Sequence, residues 1–156
     1  EAIFIPGYYT EAGSIAVQAR DLGITVPLIG GDGWASPLLL EIGGAAVEGS
    51  YYGEHYFIGE ERPAVQNFVR RFRERFGTDP DAVNALSYDA MMMLAHAIRA
   101  AGSAEGPAIR DRLAGIRNFE GVSGVITIGP DRNPIKPVVI VKVENGKTVF
   151  ADRISP

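Results

Sequence analysis

Cysteine is absent from the 156-residue chain, and histidine occurs only twice, at His55 and His96. Without cysteine the chain has no disulfide bond, no thiolate nucleophile and no cysteine-ligated zinc site, although this does not fix the cellular compartment. Neither histidine has a second one at metal-ligand spacing, and His96, within an apolar helical pattern, is expected to pack in the core. Residues 121–124 lack the spacing of a serine nucleophile elbow. We therefore expect no catalytic residues, no bound metal and no cofactor.

The chain also lacks a strong charge of either sign and a long apolar segment. Its net charge of −4 and pI near 5.2 provide no general attraction to nucleic acid or to an anionic membrane. The longest apolar candidate, residues 90–101, is interrupted by His96 and Arg99 and is shorter than the roughly 20 residues that cross a bilayer. No signal-peptide pattern opens the chain, as expected of a mature protein or an internal segment. Neither nucleic acid binding nor membrane insertion is therefore expected.

The order of the apolar patterns predicts an α/β fold. The first three predicted strands alternate with helices, an arrangement typical of a parallel sheet with flanking helices. Three such strands are too few to cover the apolar faces of the helices, so additional neighbours are expected. The Asn145-Gly146 pair is the signal of a tight hairpin near the end of the chain. Strands are predicted at residues 2–6, 26–30, 47–57, 124–128, 138–143 and 148–150, and helices at residues 11–22, 36–43, 62–76, 81–101 and 105–115.

Two of these strands end in a similar way. The segments IFIPGYY, from Ile3, and VPLIGGDGW, from Val26, are short apolar runs that reach a glycine and continue into polar and aromatic residues. Ligands of open α/β sheets bind beyond the carboxyl ends of parallel strands, so Tyr8 and Asp32 are expected to face one crevice. An aromatic ring beside a carboxylate suits a small molecule with an ammonium group on an apolar body.

Each candidate in this crevice has an alternative interpretation. Asp32 lies among glycines, where aspartate is often only a turn former. Tyr9 could face the crevice in place of Tyr8, because adjacent residues at a strand end point in opposite directions. Trp34 either stacks on a ligand or covers the apolar edge of the sheet. The glycines around Asp32 do not form a nucleotide-binding loop, since the G-x-G-x-x-G spacing and the P-loop lysine are both missing.

Five segments of the chain follow one another as they do in a known family. They are PGYYTEAG, GGDGW, VEGSYYGEHY, RFRERFGTDPDAVNALSYDAMMMLAHAIRAAGS and FEGVSGVITIGPDRNPIKPVVIVKVENGK. In this order they resemble the solute-binding proteins of branched-chain amino-acid ABC transporters, the Leu/Ile/Val-binding type, which have the type I periplasmic-binding-protein fold. The resemblance covers nearly the whole chain. Family members are about twice as long, and the chain is similar only to their carboxyl-terminal half.

The resemblance implies a role for several residues. At the position of Asp32 the family has an acidic residue that pairs with the α-ammonium group of the ligand, and at Tyr8 it has a tyrosine that lines the ligand. Val83 corresponds to a position where an apolar or aromatic group contacts the ligand side chain, although a core valine is the alternative. With Trp34, these residues form the predicted ligand-binding set.

The resemblance also implies a division into two lobes. Residues 1–53 would belong to the second lobe, residues 58–137 to the first, and residues 141–156 would return to the second. The family's carboxylate-binding Ser and Thr residues lie in the part of the first lobe that the chain does not match. The predicted pocket is therefore incomplete.

The function implied by the resemblance is that of an ABC transporter's solute-binding component, in the periplasm or another extracytoplasmic compartment. The ligand would be an amino acid or similar small carboxylate held between the two lobes, and the partner would be a membrane permease. One alternative is a truncated or engineered half-protein that self-associates into a homodimer with exchanged elements and has no native ligand binding. A second alternative is a stand-alone α/β enzyme.

Overall fold

The apolar run at the start of the chain forms a strand and begins a β-α-β arrangement in the computed structural model, which describes residues 1–156. Two short 3-10 turns are also present, at Asp32–Trp34 and Gly44–Val47. In chain order the elements are β1 (Ile3–Ile5), α1 (Tyr9–Asp21), β2 (Leu28–Gly30), α2 (Pro37–Gly43), β3 (Tyr51–Glu54), α3 (Pro63–Phe76), α4 (Ala82–Ala101), α5 (Gly106–Ala114), β4 (Phe119–Gly121), β5 (Gly124–Ile128), β6 (Pro134–Ile135), β7 (Val138–Glu144) and β8 (Lys147–Ile154).

The chain divides into two compact units. Unit 1 contains residues 1–55 and 138–154, and unit 2 contains residues 56–137 with the last two residues of the chain. The assignment of these units to the second and first lobes of the family remains a prediction.

Unit 1 is built on a five-stranded sheet with the order β1-β2-β3-β7-β8. The first three strands are parallel, and β7 and β8 extend the sheet in antiparallel fashion beyond β3. The predicted α/β fold with parallel strands and flanking helices is therefore confirmed. The three parallel strands do not stand alone, because β7 supplies the neighbour that β3 needed, and its residues Val139, Val141 and Val143 are buried.

The first helix packs through small residues: its buried positions are Ala12, Gly13, Ala16 and Ala19. The apolar spacing of residues 11–22 predicts an inner face of Ile15, Ala16, Ala19 and Leu22. The two alanines are buried as predicted, whereas Ile15 and Leu22 are exposed. The reason is the close approach of α2: a Cβ built on Gly13 would lie 2.9 Å from Ile42 Cγ2. A helix that begins at residue 11 would have Thr10 as its N-cap, and this expectation is wrong. Tyr8 occupies the cap position, without a side-chain hydrogen bond, and Thr10 lies within the first turn.

Unit 2 combines α3, α4 and α5 with a small antiparallel sheet in the order β4-β5-β6. All five predicted helices are present, with ends that differ from the prediction by no more than two residues. The helix ends follow from local chemistry: α3 stops at Gly77 in the left-handed conformation, and α4 begins with a capping box between Asp81 and Asn84. The core contains Tyr56, Val65, Phe68, Val69, Ala85 and Val122.

One buried carboxylate ties the small sheet to α4. Asp89 is almost fully buried, and its oxygens accept hydrogen bonds from Val122 N at 2.7 Å and from Ser123 N at 2.8 Å. The Ser123 hydroxyl donates a third hydrogen bond at 2.7 Å. Gly121 leaves room for this carboxylate, because a Cβ there would lie 2.7 Å from Asp89 Oδ2. Asp89 therefore holds the turn between β4 and β5 against the middle of α4.

Candidate functional site in unit 1

The loops that follow β1 and β2 touch each other at the carboxyl edge of the parallel strands. A Cβ built on Gly33 would lie 2.6 Å from the Gly7 carbonyl oxygen and 3.3 Å from Tyr8 Cδ1. The two loops therefore pack as closely as they do only because residue 33 has no side chain. This contact brings the Tyr8 ring against the turn that contains Asp32, so the two predicted residues are neighbours.

Tyr8 and Asp32 both reach solvent at this edge. Tyr8 is 69% exposed at the cap position of α1, and the Asp32 side chain is 67% exposed in the 3-10 turn after β2. Tyr9, the alternative to Tyr8, is the first residue of α1 and is only partly exposed. The edge thus presents an aromatic ring and a carboxylate side by side, a combination that can bind an ammonium group on an apolar body.

Trp34 lies fully buried beneath this edge. Its indole Nε1 donates a hydrogen bond to the Ile5 carbonyl oxygen at 3.2 Å, and its ring is 6.3 Å from that of Tyr52, centroid to centroid. The ring fills the space left by Gly30, because a Cβ there would lie 2.2 Å from the indole carbons. Of the two interpretations of Trp34, this packing favours the one in which the ring covers the sheet edge.

The close packing of Trp34 against Gly30, which forms a slot for the indole ring, predicts a large loss of stability from a very small substitution. Gly30→Ala would force the buried indole to move, and overpacking of this kind costs roughly 1–3 kcal/mol of unfolding free energy. We expect a lower urea midpoint and altered tryptophan fluorescence. Gly31→Ala is the matched control, because no atom lies within 4 Å of a Cβ built there. Equal stability of the two variants would contradict this account of the Trp34 slot.

His55 also lies at this edge, a position that was not predicted from the sequence. It follows β3 directly, and its Nε2 lies 3.1 Å from Asp32 Oδ2. Its backbone N–H donates to Glu54 Oε1 at 2.8 Å. The predicted strand over residues 47–57 placed His55 inside it, whereas β3 ends at Glu54 and leaves His55 at the sheet edge. The register between β2 and β3, which brings the two side chains together, was not available from the sequence.

Tyr52 borders Trp34, and its hydroxyl stays protonated at neutral pH. Burial, together with the nearby Glu54 carboxylate, raises the pKa of the Tyr52 hydroxyl well above its usual range. The tyrosine therefore stays neutral and contributes an apolar body to the packing beneath the site.

The fourth predicted ligand residue lies in unit 2. Val83 is in the first turn of α4 and is exposed, so it is not the core valine of the alternative interpretation. The neighbouring Asn84 uses its side-chain oxygen to accept from Asp81 N in the capping box. On the same helix, His96 is exposed beside Phe119, which corrects the expectation that it packs in the core.

Unit 2 has a concave surface of its own. A cavity of about 370 Å³ lies between α3, α4 and β4. Polar residues, among them Arg71, Arg75 and Glu120, line part of it. Its five aromatic lining residues are Phe68, Phe72, Phe76, Tyr88 and Phe119. None of the four predicted ligand residues lines this cavity. No cluster of three or more side chains suited to a metal ion is present, and none of the helices has the length and apolar character needed to cross a membrane.

Comparison with known protein families identifies the class of protein to which this chain belongs. Residues 2–148 match the family model described as "Periplasmic binding protein", and the chain therefore belongs to that family. Among members of this family, the chain is similar to Leu/Ile/Val-binding proteins. It is 33% identical over 147 residues to the Leu/Ile/Val-binding protein homolog 1 of Brucella suis, and the match covers 92% of this chain and 38% of that protein. The predicted resemblance is confirmed.

Solved structures place the fold in the same group. A leucine-binding protein from Thermotoga maritima matches with a TM-score of 0.91 and 44% identity, covering 99% of this chain and 45% of that one. The branched-chain amino acid transporter substrate-binding protein of Streptococcus pneumoniae, in complex with isoleucine, matches with a TM-score of 0.85 and 32% identity, covering 99% and 44%. The chain thus spans less than half the length of these relatives. The family consists of solute-binding proteins and not of enzymes.

Proposed function

We propose that unit 1 supplies part of the binding site for an amino acid in the solute-binding component of an ABC transporter. The observation that carries this proposal is the pairing of an exposed tyrosine with an exposed carboxylate, Tyr8 and Asp32, at the carboxyl edge of β1 and β2. Family membership supports it, since relatives of this type include a protein in complex with isoleucine.

In this proposal the ligand's ammonium group binds Asp32 and its apolar body lies against Tyr8. Charge-assisted hydrogen bonds of this kind are shorter and stronger than neutral ones. Trp34 acts from beneath, by holding the turn that contains Asp32. The carboxylate of the ligand would be bound by residues that this chain does not contain.

The transport role extends this proposal to the longer proteins of the family. Residues 1–53 and 141–156 would belong to the second lobe and residues 58–137 to the first. Ligand contacts from both lobes would stabilise a closed form, which a membrane permease would recognise outside the cytoplasm. The energetic reason is that only the closed form contacts the ligand from two sides.

The test is a calorimetric or NMR titration with three probes that share a similar apolar group. L-Leucine carries both charges, 3-methylbutylamine lacks the carboxylate, and 4-methylpentanoate lacks the ammonium group. We expect leucine and the amine to bind with similar affinity, at best in the millimolar range, or about −4 kcal/mol. We expect no binding of 4-methylpentanoate. Tighter binding of 4-methylpentanoate than of the other two probes would contradict the proposal. So would the absence of binding by all three probes.

A second candidate function is self-association of the 156-residue chain, and two surfaces favour it. The helix α4 is strongly apolar, yet it exposes Met91, at 63%, together with Met92 and Ile98. A run of three methionines within an apolar helical pattern favours core residues, and the exposure of Met91 and Met92 contradicts that expectation. In unit 1, β1 is an edge strand with an exposed Phe4. Exposed apolar surfaces and unpaired strand edges are normally covered, and we propose that a second copy covers them, with or without exchange of elements.

Light scattering tests this association. We expect a mass of twice the 16.7 kDa of one chain at micromolar concentration. Met91→Lys places a charge on the exposed apolar part of α4 and should shift the protein toward monomer. Ser87→Lys is the control on the same helix, because Ser87 is already exposed and polar. A folded wild-type monomer, or equal effects of the two lysines, would contradict the proposed dimer.

A further inference from the structure

The contact between His55 and Asp32 joins residues from two neighbouring strands. Asp32 lies in the turn that follows β2, and His55 lies directly after β3. The two strands pair in parallel, with Gly30 opposite Tyr52, so their ends reach the same edge of the sheet. His55 Nε2 is 3.1 Å from Asp32 Oδ2 and is the hydrogen-bond partner that the structure gives to this carboxylate.

The surroundings of the imidazole determine where its hydrogen lies. An ionised carboxylate only accepts hydrogen bonds, so the nitrogen that faces it must donate. The other ring nitrogen, Nδ1, is buried and has no hydrogen-bond partner. A hydrogen on Nδ1 would be a buried donor without an acceptor, which costs about 1–3 kcal/mol. The neutral ring therefore has its hydrogen on Nε2 and donates it to Asp32.

His55 is better anchored than the aspartate to which it donates. The imidazole is about two-thirds buried, whereas two-thirds of the Asp32 side chain is exposed. The backbone N–H of His55 is fixed by the buried Glu54 carboxylate. An exposed carboxylate without a partner samples several rotamers, and a ligand that binds one of them must offset the lost side-chain entropy.

We propose that His55 is a positioning residue for ligand binding. Its Nε2–H holds Asp32 Oδ2 and leaves Oδ1 free for the ammonium group of the ligand. The hydrogen bond fixes the orientation of the Asp32 side chain while its second oxygen stays available to the ligand. The inference rests on the proposed function, since it assigns how the carboxylate of that site is prepared for its ligand.

Three variants separate positioning from a structural role. His55→Ala removes the donor and is expected to weaken L-leucine binding about two- to ten-fold, the range of one net hydrogen bond. His55→Gln has a side-chain N–H at a similar reach and should recover most of the loss. His96→Ala removes the other histidine, exposed on α4, and should leave the affinity unchanged. Unfolding midpoints of all three variants identify any loss that comes from misfolding.

A double-mutant cycle with Asp32→Asn tests whether His55 acts through Asp32. We expect His55→Ala to have little further effect in the Asp32→Asn background. Independently of any ligand, a long-range ¹H–¹⁵N correlation spectrum should show the Nε2–H tautomer of His55. The Nδ1–H tautomer, an unchanged leucine affinity of His55→Ala, or equal losses in both backgrounds would overturn the inference about His55 alone. Absence of leucine and amine binding by the wild type would overturn the proposed function, and this inference with it.

Discussion

The Asp32→Asn protein is expected to bind L-leucine about ten- to a hundred-fold more weakly than the wild type. The substitution preserves the shape of the side chain and removes its charge, so a charge-assisted hydrogen bond of about 1.5–3 kcal/mol is lost. The same loss is expected for 3-methylbutylamine, since both probes present an ammonium group. Stability should hardly change, because the Asp32 side chain is mostly exposed. NMR titration is the suitable measurement at these weak affinities.

Asp21→Asn provides the matched control for this experiment. Asp21 is the last residue of α1 in the same unit and is exposed, so the substitution makes the same change in net charge away from the sheet edge. We expect leucine binding by this variant to equal that of the wild type. If the two asparagine variants lose affinity equally, the loss reflects overall charge, and Asp32 is not in the site.

The largest expected effect on stability comes from Asp89→Ala in unit 2. The substitution removes the acceptor for two buried backbone N–H groups and for the Ser123 hydroxyl. Each buried donor left without a partner costs about 1–3 kcal/mol, so the two N–H groups alone give roughly 2–6 kcal/mol. Asp89→Asn should recover only part of this, because its amide NH₂ can accept no hydrogen bond.

Urea unfolding followed by far-ultraviolet circular dichroism measures this loss, since α3, α4 and α5 are in unit 2. Ser87→Ala, at an exposed position on the same helix, should change the unfolding free energy by less than about 0.5 kcal/mol. An Asp89→Ala protein as stable as Ser87→Ala would show that the hydrogen bonds to the β4–β5 turn contribute nothing net.

The parts of the site that follow from strand ends could be predicted from the sequence. Tyr8 and Asp32 each come shortly after an apolar run that reaches a glycine, and the edge of a parallel sheet brings such positions together. The sequence pattern could not decide between the two interpretations of Trp34, because they differ only in whether the fold has a buried space for the indole ring. The slot is made by Gly30, whose missing side chain is visible in the sequence but whose distance from Trp34 is not.

Contacts between distant residues set the limit of the sequence prediction. Asp89 lies in the middle of an apolar helix, and its partners at positions 122 and 123 follow a short strand that the sequence did not indicate. The small-residue face of α1 is a similar case. Apolar periodicity predicts large and small apolar residues alike as buried, whereas the close approach of α2 leaves room only for the small ones.

Chemical-shift mapping with L-leucine tests the central claim most directly, because it locates binding without assuming any residue's role. In ¹H–¹⁵N spectra of the wild-type chain, we predict that the amides of residues 7–9, 31–34 and 55 shift with a common dissociation constant. The same titration with 4-methylpentanoate should leave these amides in place. Leucine-induced shifts confined to the aromatic cavity of unit 2, around Phe72 and Tyr88, would contradict the assignment of the ligand site to the edge of β1 and β2.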